Sequence, residues 1–360
     1  MINKIIITKL VLIIILILEL IACSKNEENS ENKLKSYHSL PRASAEGDLE
    51  TVKYLVEIGA DINSKDSDGN TALMRALEKG NSEVFNYLLE NGADVNIKNN
   101  NGYNVLTVAA MHGNLKLVKY LIESGMKVDS KVINGLKALI NASIYGHLEI
   151  IEYLIDNGLD VNAKTDYGET ALMYVSVSES LESAKYLIEK GADINIQNNG
   201  GVTALIFASQ SVALGGLKMV QYLVECGADI NVKDNNGNTA LMWALEKGNL
   251  KTAKYLIEKG ADVNAKNNDG STVLTMASTE GYSEIVRLLV GKGANVNAKY
   301  HNGDTALIMA STEGYLEIVK YLLENVADVN IKNNDGYNAL DLAKTDKIKE
   351  LLTEASMKKQ

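Results

Sequence analysis

Apolar and polar positions along this chain follow a unit of 33 residues that returns with little change. Each unit has two short apolar stretches, each followed by a glycine, and then a polar loop rich in Asn and Asp. In the unit after Gly69, the hydroxyl of Thr71 can cap a short helix that Gly80 ends. Val84 and Leu88 then mark the apolar side of a second helix. One helix pair cannot bury its own apolar side, so the pattern predicts a stack of such pairs.

The repeat is marked by one glycine in each unit. These glycines are 33 residues apart except for one step of 36. We count ten units: an N-terminal one from Ser36, eight full ones, and a C-terminal one that is shortened between its helices. The glycines are Gly69, Gly102, Gly135, Gly168, Gly201, Gly237, Gly270, Gly303 and Gly336.

Short motifs accompany these glycines, notably Thr71-Ala72-Leu73 and its equivalents, and Gly-Ala-Asp-Val-Asn after the second helix. The period and the motifs resemble the ankyrin repeat over residues 36–355. The resemblance implies an all-α ankyrin-repeat solenoid of about ten repeats that binds proteins through its concave face and loop tips. The family's Thr-Pro-Leu-His motif has Ala72 and Met74 in place of Pro and His. The histidine's hydrogen bond between repeats is therefore missing, and we expect cohesion to depend more on apolar packing.

Three units depart from the pattern. Glu179 replaces the glycine between the two helices, and three extra residues lie near 211–215. Val326 replaces the glycine that ends a second helix. Because a β-branched residue tolerates a glycine conformation poorly, we expect Val326→Gly to raise the melting temperature.

The first 35 residues have a different pattern. Lys4 and Lys9 precede nine uninterrupted apolar residues, 10–18, the length expected of a signal peptide and about half of a membrane span. The segment Leu20-Ile21-Ala22-Cys23 resembles the lipobox of bacterial lipoproteins, although Glu19 departs from that pattern. The resemblance implies a signal peptide over 1–22 and a lipidated Cys23. A polar tether over 23–35 would then lead to the repeats, with a short tail over 356–360. An uncleaved membrane anchor with an inert Cys23 is the alternative.

Composition argues against several other functions. The net charge of −10, without a basic block, disfavours nucleic-acid binding. The four histidines are scattered over separate units, so no helical zinc pair exists, and neither a phosphate-binding loop nor a serine-nucleophile motif is present. We expect no metal, cofactor or catalysis. Cys226 is interpreted as a passive surface residue, with redox sensing as its alternative.

Two rows of recurring residues have structural interpretations. A tyrosine recurs at one place in the second helix, where we expect each ring to pack against the neighbouring unit. A lysine recurs at the loop edge, where it favours solubility or holds an acidic partner. The tyrosines are Tyr54, Tyr87, Tyr120, Tyr153, Tyr186, Tyr222, Tyr255 and Tyr321; the lysines are Lys65, Lys98, Lys131, Lys164, Lys233, Lys266, Lys299 and Lys332, with Gln197 as the exception.

These patterns favour a monomeric, lipid-anchored scaffold of the bacterial cell envelope that binds a protein and is not an enzyme. Ser24 after the cysteine favours the outer membrane, by analogy with enteric lipoproteins. The alternatives are an extracytoplasmic stress or redox-protective protein, and a secreted effector that acts on host proteins. The candidate binding residues are aromatic and lie on the first helices: Tyr145, Tyr174, Phe207 and Trp243. The competing interpretation is that these aromatic residues only fill the seam between helices.

Overall fold

The computed structural model describes residues 39–128, 133–211 and 214–357 of the 360-residue chain. Within these ranges the chain forms 19 α-helices and two isolated β-bridges. No helix in the described ranges is both long enough and apolar enough to span a membrane. The predicted signal peptide over 1–22, the tether over 23–35 and Cys23 lie outside the described residues.

The described chain divides into two compact units, the first ending at Met126 and the second beginning at Lys127. The first unit contains three helix pairs joined by tight turns. Its helices are α1 (Leu40–Glu46), α2 (Leu49–Glu57), α3 (Ala72–Glu78), α4 (Ser82–Glu90), α5 (Val105–Met111) and α6 (Leu115–Glu123).

The second unit contains six helix pairs and a single C-terminal helix. The pairs are α7 (Ile133–Ile144) with α8 (Leu148–Asp156), α9 (Ala171–Val177) with α10 (Leu181–Glu189), α11 (Ala204–Gln210) with α12 (Leu214–Glu225), α13 (Ala240–Glu246) with α14 (Leu250–Glu258), α15 (Val273–Thr279) with α16 (Ser283–Gly291), and α17 (Ala306–Glu313) with α18 (Leu316–Glu324); the last helix is α19 (Asp346–Met357).

The first helix of each pair is short because its capping and ending residues lie close together. Thr71 accepts a hydrogen bond from the backbone N–H of Met74 at 3.4 Å, as predicted, and Gly80 adopts a φ of 72° just after the helix. Leu73 and Met74 are completely buried, whereas α4 buries only the side that carries Val84 and Leu88. The core therefore lies between a layer of first helices and a layer of second helices. Four further threonines cap in the same way: Thr203, Thr239, Thr272 and Thr305.

Polar side chains join the loops of consecutive repeats. The Lys65 ammonium donates to the carbonyl oxygen of Lys98 at 2.8 Å, and Lys233, Lys266 and Lys299 each donate to the equivalent lysine of the next repeat. A second row consists of asparagines whose Oδ1 accepts the backbone N–H of a residue in the following loop: Asn63, Asn162, Asn195, Asn231, Asn264 and Asn297. The expectation that cohesion depends more on apolar packing was therefore incomplete, because lysine and asparagine side chains supply regular bonds between repeats.

Two of the predicted units differ from the pattern. Gly135 lies inside α7, where an added Cβ would be 2.6 Å from the carbonyl oxygen of Val128, so it is not a loop glycine. The unit has Lys137 where five others have a capping threonine, and a lysine side chain cannot accept the hydrogen bond that would fix the helix start there. After Gly336, residues 339–342 form turns instead of a first helix. The C-terminal unit therefore has one helix, whereas the sequence predicted two.

Candidate protein-binding surface

The central position of each first helix, six residues after the repeat glycine, carries a large side chain in several repeats. In α3 this residue is Arg75, which forms ion pairs with Asp66 at 2.6 Å, Asp68 at 2.5 Å and Glu78 at 2.9 Å. Burial lowers the pKa of the guanidinium, but the hydrogen bonds to these three carboxylates outweigh it, so the pKa lies above its ordinary value. Arg75 is therefore held by its own loop and helix.

Trp243 occupies the equivalent position in α13 and is held in a similar way. Its indole N–H donates to Oδ2 of the buried Asp234 at 2.8 Å, and the Lys247 ammonium lies 5.4 Å from the ring centre. Asp234 stands three residues before the repeat glycine, as Asp66 does in the first unit. An acid at this loop position thus holds a donor side chain on the following helix.

Tyr174 and Phe207 occupy the same position in α9 and α11, and the two side chains help to enclose a cavity of about 370 Å³. The hydroxyl of Tyr174 donates to Oε2 of Glu169 at 2.5 Å, which fixes the ring at the wall of the cavity. Both aromatic side chains are half-buried. The lining residues are Ile144, Glu169, Met173, Tyr174, Val177, Ser178 and Phe207.

Two exposed apolar residues, Ile144 and Val177, line this cavity, and the exposed Tyr145 follows Ile144 in the sequence. Ile144 is 40% exposed, Tyr145 56% and Val177 51%. Ile144 and Val177 both stand nine residues after a repeat glycine, where α3 and α13 carry Glu78 and Glu246. We call the cavity and the three exposed residues Ile144, Tyr145 and Val177 the central apolar surface.

Comparison with known protein families decides the identity of the repeats. A family model described as ankyrin repeats (3 copies) matches residues 16–99, 40–132, 92–165, 128–198, 205–300 and 274–360. The chain belongs to the ankyrin-repeat family. Ankyrin repeats generally mediate protein–protein interaction and are typically non-catalytic scaffolds. No curated protein matches the chain.

The predicted aromatic residues occupy different environments in the ankyrin repeats. Tyr174 and Phe207 line one cavity, and Tyr145 follows Ile144, which lines the same cavity. Tyr145 also stacks on His147, with ring centres 6.3 Å apart. Trp243 is not among the cavity residues and is bonded to Asp234 instead.

Sequence reasoning missed three exposed apolar residues in the same ankyrin repeats. Ile144 and Val177 were overlooked because neither is aromatic. Tyr167, which is 72% exposed, stands at a loop tip where the other repeats have Asn, Asp or Gly. Aligning the repeats by register and asking where an apolar residue replaces a polar one would have found all three.

The tyrosine row packs across ankyrin repeats at some places and not at others. The hydroxyl of Tyr186 donates to Asp156 at 2.9 Å in the preceding repeat, and burial together with this bond raises the pKa of Tyr186 to about 12. Tyr321 likewise donates to the carbonyl oxygen of Arg287 at 3.4 Å. Tyr120, in contrast, is 51% exposed and lines an open groove of about 530 Å³ beside Phe85. The predicted ladder is therefore interrupted at Tyr120.

The remaining candidate chemistry is sparse in the part of the chain that the structure describes. No cluster of three or more His, Cys, Asp or Glu side chains there could hold a metal ion. Cys226, which the sequence analysis interpreted as a passive surface residue, has a free thiol. It is half-buried and follows α12. A hydrogen bond joins the thiol to Tyr222. The pKa of Tyr222 is raised to about 12, mainly by burial and in addition by this hydrogen bond.

Proposed function

We propose that this chain is a lipid-anchored ankyrin scaffold that binds a protein partner through the central apolar surface. The observation that carries the proposal is the exposure of Ile144 and Val177 at an open cavity, with the exposed Tyr145 next to Ile144 in the chain. Apolar side chains grouped beside a cavity favour a protein contact, because water contact with them costs about 25 cal/mol per Å². Two other repeats have Glu78 and Glu246 where Ile144 and Val177 stand, so packing of the repeat does not require an apolar residue there.

The anchor is proposed from the residues at the N-terminus. Lys4 and Lys9, the apolar run over 10–18 and Cys23 after Leu20-Ile21-Ala22 support cleavage before Cys23 and lipidation of its thiol. Each buried methylene contributes about 0.8 kcal/mol, so two or more acyl chains hold a protein stably at a membrane. The polar tether over 23–35 would let the repeats turn above that membrane. We propose that this is a bacterial membrane and, given Ser24, the outer one.

Photo-crosslinking tests the surface. A photoreactive phenylalanine replaces Tyr145 in one version of the chain and Tyr120 in another, and both are expressed in the native cell. The two positions are matched, because the side chains are 56% and 51% exposed. We expect a discrete protein adduct from position 145 and none from position 120. Equal adducts from both positions, or none from position 145, would contradict the proposed surface.

Metabolic labelling with a fatty-acid analogue tests the anchor. Cys23→Ala should abolish the label and leave an uncleaved precursor, because no other thiol stands at the predicted cleavage site. Cys226→Ala is the matched control and should keep both the label and the cleavage. Undiminished labelling of the Cys23→Ala chain would disprove lipidation at this residue.

A further inference from the structure

The cavity of the central apolar surface has one charged residue in its lining. Glu169 is half-buried, and its Oε2 accepts the Tyr174 hydroxyl at 2.5 Å. Among the described residues, no lysine or arginine lines the cavity and no ion pair joins Glu169 to a cation. A carboxylate offers about four acceptor sites, so one hydroxyl leaves most of its bonding capacity available.

Two further polar residues of these repeats, Glu179 and Gln197, add no positive charge. Glu179 lies in the turn after α9 and accepts a hydrogen bond from the Ser211 hydroxyl, not from a cation. In the loop of the next repeat, Gln197 stands where the other repeats have a lysine, and its amide donates to the carbonyl oxygen of Lys233 at 3.1 Å. Apolar walls and a carboxylate outside the ion pairs of the described residues therefore occur together at this cavity.

We propose that the partner presents a large apolar side chain close to an arginine or lysine, and that these two groups fill this cavity together. The proposal rests on the proposed function and specifies its partner. The apolar side chain packs against Met173 and Phe207, while the cation pairs with Glu169 at the wall. Arginine fits better than lysine, because its planar guanidinium can bond a carboxylate through two N–H groups and stack on an aromatic ring.

The carboxylate also argues against an uncharged occupant. An acyl chain or a purely apolar peptide would remove water from Glu169 without supplying a partner for its charge. Leaving a buried charge unpaired is costly, whereas pairing it with a guanidinium offsets the desolvation and adds charge-assisted hydrogen bonds. An acidic peptide would add repulsion to the same cost.

Peptide selection tests the chemistry of the partner before the partner itself is identified. The full-length chain in detergent is panned against a phage library of random dodecapeptides, with the Val177→Lys chain used to remove peptides that bind elsewhere. Val177 is exposed, so this substitution leaves the core intact. We expect the selected peptides to share a large aliphatic or aromatic residue within four positions of Arg or Lys.

Two substitutions of Glu169 then separate charge from shape. Glu169→Gln keeps an oxygen that accepts the Tyr174 hydroxyl and removes the charge, so a selected synthetic peptide should bind at least tenfold more weakly. Glu169→Lys should shift the selection toward peptides that contain Asp or Glu. Circular dichroism spectra and melting curves that match the parent chain serve as the folding control.

The outcomes distinguish this inference from the proposed function. Peptides that are lost with Val177→Lys but unaffected by Glu169→Gln would overturn the charged partner and leave the apolar surface in place. Peptides insensitive to both substitutions would contradict both proposals. A dimer of the chain that Val177→Lys dissociates would identify a second copy as the occupant and overturn the inference. Selection of no peptide, or of acidic ones, would overturn it as well.

Discussion

Two regions of the second unit are built from the same kind of helix pair but differ in their loops and in their exposed residues. In the repeats that begin at Gly237, Gly270 and Gly303, the loops are joined by an unbroken series of lysine bonds from Lys233 to Lys332. In the repeats from Gly168 to Ser211, Gln197 interrupts the lysine row and Glu179 replaces a glycine. We call the first set of repeats the regular region and the second set the irregular region. Glu246 and Lys247 are exposed in the regular region, whereas the exposed Val177 lines a cavity in the irregular region.

The second helices keep the same kind of bond in both regions, although the loops and first helices differ. On the second-helix side, Tyr186 still bonds to Asp156 of the preceding repeat, as Tyr321 bonds to Arg287 in the regular region. Each repeat is held by its neighbours through the loops, the first helices and the second helices, so some of these contacts can change while the others keep the stack together. Substitutions that act on one region and spare the other test this division.

The largest effect is expected at the junction between the two regions. The side-chain amide of Asn249 donates to the carbonyl oxygens of Ser209 at 2.9 Å and Ser211 at 2.6 Å. Asn249→Ala leaves both carbonyls without these bonds, and we expect the free energy of unfolding to fall by about 2–3 kcal/mol in urea denaturation. Asn157→Ala is the control, because its side-chain amide donates to the carbonyl oxygen of Tyr153 in the helix that Asn157 follows, a local bond that joins no second repeat. A similar loss of unfolding free energy in both variants would show that the Asn249 bonds at the junction contribute no more than a local bond.

The second prediction concerns the two kinds of aromatic residue. Trp243→Phe removes the indole N–H that Asp234 accepts and keeps a ring of similar shape. We expect a loss of about 1–2 kcal/mol of stability and unchanged crosslinking at position 145, because Trp243 does not line the cavity. A double-mutant cycle with Asp234→Asn isolates the bond. Weaker crosslinking without loss of stability would place Trp243 in the binding surface, as the sequence analysis suggested.

The sequence predicted the regular region better than the irregular one for physical reasons. Glycine spacing and threonine caps act within a few residues, so the helix pairs after Gly237 and Gly303 follow directly from local chemistry. The lysine bonds span 33 residues and depend on how two loops stack, which no local pattern reveals. The cavity combines side chains from three repeats, Ile144, Tyr174 and Phe207 among them. A search for aromatic residues found two of these and missed the aliphatic one.

The third prediction compares the two non-glycine residues that adopt glycine conformations. Val326 in the regular region has a φ of 61° and is 75% exposed, and Glu179 in the irregular region has a φ of 58°. Val326→Gly relieves backbone strain without losing packing, so we expect a gain of about 1 kcal/mol in stability. Glu179→Gly relieves similar strain but loses the bond from Ser211, so we expect little net change. Thermal melting curves of both variants test this prediction. An equal gain in stability for the two would show that the bond from Ser211 to Glu179 contributes nothing.

The smallest effect is expected in the lysine row. Lys266→Met keeps the length of the side chain and removes the ammonium that donates to the carbonyl oxygen of Lys299 at 3.1 Å. The bond is exposed to solvent, so we expect a loss of only about 0.5 kcal/mol in urea denaturation. Lys164→Met is a matched surface control in the irregular region, where the described loops show no lysine bond of this kind to Gln197 in the next repeat, and it should be neutral. If both variants kept full stability and only lost solubility, the lysines would act only as surface charges that favour solubility. Asparagine bonds and apolar packing would then hold the repeats of the regular region together.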